Sequence, residues 1–148
     1  MNYYILIVGD SFDGHKRIDP YEELKKRLDS NFWYLYKNTK HADKIKTNDK
    51  VLFYASGIGN QKIFGKASIL KKERVTKVKH NTYTSNTPIF CLKFDKINNF
   101  SNPKKMSEQI LKTSFFKESP KQNLKKWGVF LMGGVRKITQ SDYKYLSI

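Results

Sequence analysis

Aromatic and polar side chains that could hold a nucleic-acid base are concentrated between residues 33 and 56. A base that leaves its stack is held between flat aromatic faces, while polar groups read its edge. The aromatic candidates for such a base pocket are Trp33, Tyr34, Tyr36, Tyr54 and, further along the chain, Trp127. The candidates for reading a base edge are Asn38, Thr39 and Ser56.

Lysines accompany these aromatic residues. The candidates for binding phosphates are Lys37, Lys40, Lys44, Lys71, Lys72 and Lys126. The formal net charge is +16, which attracts polyanions. Lysine is a flexible point charge, whereas arginine, whose planar fork is better suited to base edges, is scarce. The composition therefore favours attraction to the phosphate backbone over reading of the base sequence in a groove. Nucleic acid is therefore the expected partner, rather than a membrane.

The same aromatic residues can also belong to a hydrophobic core. We assign four phenylalanines to the core, namely Phe53, Phe64, Phe90 and Phe94. For Trp33, Tyr54 and Trp127 a pocket role and a core role both remain open, because an amphipathic ring suits either.

Signals for catalysis are sparse. The three histidines lie in polar stretches without the spacing of metal ligands, at His15, His41 and His80. The single cysteine, Cys91, excludes an internal disulfide and a cysteine-cluster zinc site, and its apolar surroundings predict an inert core thiol. No nucleophile elbow, phosphate loop or dinucleotide motif is present. We expect a protein that is not an enzyme and needs no metal or cofactor.

A nuclease is the enzyme class to consider for so basic a chain. The metal site of a nuclease would require clustered carboxylates. Asp10, Asp13, Asp19 and Glu23 offer only a faint spacing of this kind. Asp19 is better explained as a helix cap, and Glu23 as a residue on the surface of that helix.

The elements that would position these residues follow from hydrophobic patterns and turn residues. The segment Lys44–Ser56 combines a basic approach, a turn at Asn48-Asp49 and a buried strand. The predicted strands are Tyr3–Val8, Phe32–Tyr36, Val51–Ser56, Ile63–Leu70, Pro88–Lys96 and Trp127–Met132. Helices are predicted after Asp19, after Asn102 and after Thr139 or Ser141; polar loops are predicted at Ser11–Ile18, Phe100–Pro103 and Glu118–Asn123. Lys71–Thr87 is predicted as a loop or a strand extension, and Gly65 as a bulge or a close backbone approach.

Strands in nearly uninterrupted succession, with helices near both ends, favour an α+β fold with a small barrel-like sheet. At 148 residues we expect one domain spanning 1–148. No apolar run reaches the roughly 18 residues of a membrane span, and no signal-peptide pattern is visible, so we expect a cytoplasmic protein.

The order of these motifs resembles the EVE domain of the PUA-like superfamily, which is related to YTH and ASCH domains. The resemblance rests on IKTNDKVLFY at residues 45–54, IFGKA at 63–67, KKW at 125–127, a glycine pair and TQSDY at 139–143. It implies a small barrel of about six strands flanked by short helices. It also implies a module that recognises a modified base in an aromatic-lined pocket, in DNA of the 5-methylcytosine type or in RNA.

The resemblance places Trp33, Asn38, Tyr54, Ser56 and Trp127 at the pocket. Asn48 stands where the family usually has glycine, a tolerable replacement at a left-handed position. Because Phe32 and Trp33 are adjacent, a register slip of one residue would make Phe32 the pocket residue instead.

The leading hypothesis is a non-catalytic module that binds nucleic acid and reads a modified cytosine or adenine. The alternative is a regulatory domain that binds a nucleoside or another small molecule. The sequence leaves open whether DNA or RNA is bound, which modification is read, and the oligomeric state.

Overall fold

A six-stranded mixed sheet forms the centre of the molecule. The computed structural model describes residues 1–75, 88–118 and 124–148, with the backbone alone for residues 124–126 and 129. The strands of this sheet are β1 (Tyr3–Val8), β4 (Trp33–Tyr36), β5 (Lys50–Ala55), β6 (Lys62–Arg74), β7 (Pro88–Lys105) and β8 (Val135–Ile138). A separate two-stranded hairpin consists of β2 (Ser11–Asp13) and β3 (Lys16–Ile18).

The strand order is β4-β7-β6-β5-β1-β8. Only β1 and β5 pair in parallel, with Tyr3 opposite Lys50 and Val8 opposite Ala55, and the other neighbours are antiparallel. Register shifts along the β4–β7, β5–β6 and β6–β7 ladders mark bulges, which bend strands and curl the sheet into a half-barrel. The predicted α+β architecture of about six strands is confirmed.

Both faces of the sheet are buried, because alternate residues of β1 and β5 point to two different cores. The first face carries Tyr4, Leu6, Val8, Val51, Phe53 and Ala55. The second face carries Ile5, Ile7, Leu52 and Tyr54. This double burial explains why both strands are nearly continuous apolar runs in the sequence.

Helix α1 (Pro20–Ser30) and the segment at residues 37–45 cover the first face, contributing Leu24, Ala42 and Ile45. Asp19 caps α1 by accepting hydrogen bonds from the amides of Tyr21 (3.0 Å) and Glu22 (3.4 Å), as the sequence predicts.

Short helices cover the second face. They are α2 (Met106–Gln109), a 3₁₀ turn at Ile110–Lys112, α3 (Ser114–Lys117), a 3₁₀ segment at Leu124–Leu131 and α4 (Gln140–Leu146). Thr139 caps α4 by accepting a hydrogen bond from the amide of Asp142 at 3.1 Å, which confirms the predicted terminal helix. No helix within the described ranges is long and apolar enough to cross a membrane.

Gly65 lies at both features that its sequence context predicts. The β6–β7 register shifts between Ile63 and Gly65, and a Cβ on Gly65 would lie 2.6 Å from the carbonyl oxygen of Asn98. The absence of a side chain therefore permits the close approach of β7 at this bulge.

Two predictions around the strands are wrong. The predicted strand Trp127–Met132 is instead, up to Leu131, part of a 3₁₀ segment in which Trp127, Phe130 and Leu131 pack towards the second face. Their spacing of three and four residues fits a helix, and a short apolar run alone does not separate the two possibilities. The predicted loop Phe100–Pro103 lies within β7, between the pairs Gly65–Asn99 and Ile63–Lys104, and the predicted helix begins only at Met106.

Other differences concern short strands and one cysteine. Ser11–Ile18 is a hairpin rather than a loop, and β8 was not predicted. In β8, Val135 belongs to the first face and Ile138 to the second, so no simple alternation marks this strand. Cys91 is half-buried rather than buried. Lys71 to Arg74 extend β6, whereas residues 76–87 and 119–123 lie outside the described residues.

Candidate functional site

Three chain segments meet at the carboxyl end of β1. The amide and hydroxyl of Ser56 both donate hydrogen bonds to the carbonyl oxygen of Val8, at 3.0 and 3.2 Å. A Cβ on Gly9 would lie 3.8 Å from the Ser56 hydroxyl oxygen. On the other side of β1, the amide of Ile7 donates to the carbonyl oxygen of Gly134 at 2.8 Å. The residues after β1, after β5 and before β8 are thereby joined.

The end of β4 joins the same place through a tight turn. The amide of Tyr36 donates to the Thr39 hydroxyl, and the amide of Thr39 donates to the carbonyl oxygen of Tyr36, both at 3.0 Å. The Thr39 methyl group lies 3.8 Å from the position that a Cβ on Gly134 would take. Tyr36 is half-buried, and Asn38 is exposed within this turn. We call Gly9, Tyr36, Asn38, Thr39, Ser56 and Gly134 the β1-end cluster.

Several lysines lie in and after this turn, on the segment that leads from β4 to β5. Lys37, Lys40 and Lys44 are exposed on the segment between β4 and β5. Burial lowers the pKa of His41, and the positive charges of Lys44, Lys137 and Lys40 lower that pKa further, while Asp43 opposes them. The lysine charges therefore act together as a local positive field around His41, whose ring packs on Tyr4 of β1 with centroids 5.9 Å apart.

Trp33 and Tyr54 do not share a pocket. Trp33 is 3% exposed on the first face, where its ring stacks on Phe53 with centroids 5.8 Å apart. Tyr54 is 2% exposed on the second face, and burial raises its pKa to about 12. The two rings lie on opposite sides of the sheet, and the sequence-based pairing of them is corrected accordingly.

The register of β4 distinguishes Phe32 from Trp33. Trp33 points into the core together with Leu35, whereas Phe32 is half-buried and packs on Tyr34 with ring centroids 5.4 Å apart. Phe32 therefore does not replace Trp33 at the first face.

The remaining predicted residues lie elsewhere. Trp127 is half-buried against the second-face core, and the side chain of Lys126 is outside the described part of the chain. Lys71 is exposed on β6. Lys72 donates to the carbonyl oxygens of Ala42 (2.6 Å) and Ile45 (2.8 Å), and burial lowers its pKa, so this amine clamps the segment covering the first face. Lys72 therefore has a structural role, and its predicted phosphate contact stays a prediction.

Comparison with protein families and solved structures shows which proteins this chain is similar to. The family model described as EVE domain matches residues 16–147. The chain belongs to the EVE domain family. Its fold is the α+β fold of PUA-like domains, as the resemblance implies. Among curated proteins, none matches the chain.

Solved structures similar to this EVE domain share its fold at low sequence identity. The protein Atu2648 from Agrobacterium tumefaciens is 15% identical, with a TM-score of 0.58 over 99% of this chain and 90% of that one. The N-terminal domain of Staphylothermus marinus McrB is 9% identical, with a TM-score of 0.57 over 97% and 92%. Human THYN1, in complex with DNA containing 5-methylcytosine, is 13% identical, with a TM-score of 0.56 over 98% and 95%.

Sequence reasoning missed three parts of the β1-end region of this EVE domain. They are Gly9, Gly134 and, further along β8 opposite Tyr4, the cation Lys137. The glycine pair at residues 133 and 134 was visible as a strand terminator, and both glycines adopt positive φ. The contact of Gly134 with β1 depends on the pairing of β8 with β1, and β8 was not predicted from the sequence.

A groove of about 530 Å³ lies apart from the predicted residues, between β8, α3 and α4. The Arg136 guanidinium there lies over the rings of Phe115 (4.8 Å) and Phe130 (5.6 Å). Asp142 is occupied with the amide and hydroxyl of Ser114. Within the described residues, no group of three or more potential metal ligands occurs in this groove or elsewhere.

Proposed function

We propose that this EVE domain binds nucleic acid without cleaving it and holds a modified cytosine or adenine at the β1-end cluster. In this proposal Tyr36 provides the stacking face, and Asn38, Thr39 and Ser56 provide polar groups at the base edge. Lys37, Lys40 and Lys44 bind the flanking phosphates, with Lys137 adding to the positive field.

The observation that carries the proposal is the meeting of four chain segments at one end of β1. Because β1 and β5 are parallel, the residues that follow both strands lie at the same edge of the sheet. Gly9 and Gly134 leave the backbone accessible to a flat ligand. The adjacent exposed lysines supply the cations that a phosphate backbone needs.

The solved complex of human THYN1 supports the proposed ligand class, because that protein is bound to DNA containing 5-methylcytosine. A binding role also fits the small number of acidic groups near the cluster. Asp10, which lies closest in sequence, is paired with Arg17 at 2.7 Å. Catalytic metal binding would require several carboxylates to converge.

Direct binding to labelled oligonucleotides tests the proposal. Fluorescence anisotropy at low salt compares single and double strands that contain 5-methylcytosine, N6-methyladenine or the unmodified base. We expect tighter binding to one modified form. Tyr36→Ala should reduce that preference about tenfold, since stacking on an aromatic ring contributes roughly 1–3 kcal/mol per base.

Two variants separate base reading from general attraction. Lys37→Ala should weaken modified and unmodified strands alike, because phosphate contacts carry no sequence information. Tyr21→Ala is the matched control, since Tyr21 is a half-buried tyrosine of helix α1 that packs on Phe64 and is not a candidate for the base pocket. If no oligonucleotide binds at low salt, the proposal is abandoned. If free nucleosides raise the melting temperature while no oligonucleotide binds, the small-molecule alternative is supported.

A further inference from the structure

The β2–β3 hairpin projects directly from the carboxyl end of β1, beside the β1-end cluster. Its strands pair in register from Ser11–Ile18 to Asp13–Lys16, which leaves Gly14 and His15 as a two-residue turn. Gly14 has a φ of +65°, as the first central position of a type II′ turn requires. The hairpin is therefore a short, well-defined ribbon.

The root of this ribbon is fixed to the cluster. Arg17 forms an ion pair with Asp10, and its guanidinium lies 3.5 Å from the position that a Cβ on Gly57 would take. The side-chain amide of Asn60 donates to Asp19 at 3.2 Å and to the Ser56 carbonyl oxygen at 3.1 Å. These contacts tie both ends of the hairpin to the turn that begins at Ser56.

An aromatic side chain stands exposed on the ribbon. Phe12 is 50% exposed, although it lies only three residues beyond Gly9 of the cluster. Its register partner is Arg17, so the two side chains share one face of the hairpin. Because Arg17 reaches the Ser56-Gly57 turn, this is the face next to the β1-end cluster.

The charge of the ribbon suits a polyanion. His15, Lys16 and Arg17 are exposed, against a single exposed acid within the hairpin, Asp13. A two-stranded ribbon is also of a size that a DNA groove admits. Proteins that kink a duplex frequently insert an apolar wedge, such as phenylalanine or leucine, between base steps and partly unstack them.

We propose that the β2–β3 hairpin opens a nucleic-acid duplex, with Phe12 filling the position in the stack left by the base at the β1-end cluster. This inference rests on the proposed function and extends it to a partner class, double-stranded nucleic acid. Phe12 acts as a positioning residue that compensates for lost stacking. It makes no contribution to reading the base itself.

Two measurements test the wedge. The probe is a duplex with one 5-methylcytosine and a neighbouring 2-aminopurine, whose fluorescence rises when the adjacent base leaves the stack; the same labelled strand alone is the second probe. Wild type should raise the duplex signal. Phe12→Ala should abolish this rise and weaken duplex binding about tenfold, while single-strand affinity changes by less than about twofold.

Matched variants accompany the test. Phe12→Leu keeps a large apolar side chain that can act as a wedge without quenching the probe, and should restore the fluorescence rise. Leu111→Ala removes an apolar side chain of nearly equal exposure, 47%, in the 3₁₀ turn at Ile110–Lys112, and should change neither probe. Both positions are exposed, so all three variants should fold, and circular dichroism checks this.

The outcomes distinguish this inference from the proposed function. If wild type binds modified strands and Phe12→Ala affects duplex and single strand equally, or neither, the wedge is overturned and the reader proposal stands. If wild type binds single strands only, the wedge is likewise overturned and the reader proposal stands. If wild type binds no oligonucleotide, both are overturned.

Discussion

The ring of Trp33 is held on several sides by the first-face core. Phe53 stacks on it, the Arg27 guanidinium lies 4.7 Å from its centroid, and Phe94 meets it edge-on at 6.2 Å. Arg27 is held by an ion pair with Glu23 at 3.0 Å within helix α1, so its contact with the ring ties this helix to the tryptophan. Trp33 thus links α1, β4 and β5, and a base could take its place only by disrupting this packing.

Replacement of Trp33 by alanine should therefore act on stability before it acts on binding. Removing a buried tryptophan ring costs about 3–5 kcal/mol of the free energy of unfolding, through lost burial and the cavity left behind. Urea unfolding of Trp33→Ala, compared with Tyr34→Ala at the neighbouring half-buried position, measures this difference. Unchanged stability together with lost preference for a modified base would instead make Trp33 a pocket residue.

Backbone conformations that depend on a single residue could be predicted from the residue type alone. Asn48 adopts a φ of +74°, the left-handed conformation that its turn context predicts. Asp49, next to it, is fully buried and accepts hydrogen bonds from the amides of Asn2 (2.9 Å) and Lys46 (3.0 Å). The bond to Asn2 joins residues far apart in the sequence, which is why this role of Asp49 was not predicted.

At the scale of elements, β6 and β7 form the longest antiparallel pair, and Gly65 sets how closely they approach. The neighbouring backbone of Asn98 and Asn99 would meet any side chain at residue 65. A backbone obstacle gives way less readily than the end of a flexible side chain. The bulge and the glycine therefore act as one structural feature.

Gly65→Ala should separate the two strands locally and destabilise the domain. We expect a loss of about 1–3 kcal/mol, the usual cost of forcing an extra carbon into a closely packed site. Thermal unfolding measures it against Gly128→Ala, where a Cβ would meet no atom within 4 Å. Equal melting temperatures for the two variants would show that β7 moves aside at little cost.

Elements with a strong local signal were predictable, and those defined by pairing were not. Helix α1 follows from Asp19 as cap and Pro20 in its first turn, and the structure has both. The β2–β3 hairpin is largely exposed and lacks an alternating apolar pattern, so it looked like a loop. The pairing of β7 runs to Lys105 past Pro103, because the ladder skips the stretch that contains this proline.

At the scale of the molecule, the candidate site exists because distant segments converge. The parallel pairing of β1 with β5 brings Val8 next to Ser56, and β8 brings Gly134 to Ile7. None of these contacts has a local sequence signal, so the sequence supplied Tyr36, Asn38 and Ser56 as candidates without their arrangement. The excess of basic residues, 29 against 13 acidic, was readable at once. Which lysines matter for binding depends on that arrangement.

The salt dependence of binding tests whether the lysines near the β1-end cluster form a phosphate track. Each phosphate contact contributes a slope of about −0.9 in log affinity against log salt for duplex DNA, or about −0.7 for a single strand. A variant with Lys37, Lys40 and Lys44 replaced by alanine should therefore lose roughly 2–3 units of slope. The control replaces exposed lysines on the helical side, Lys105, Lys112 and Lys144, so that net charge falls equally. An equal loss of slope in both variants would mean that nucleic acid responds to the overall charge of +16 rather than to these three positions.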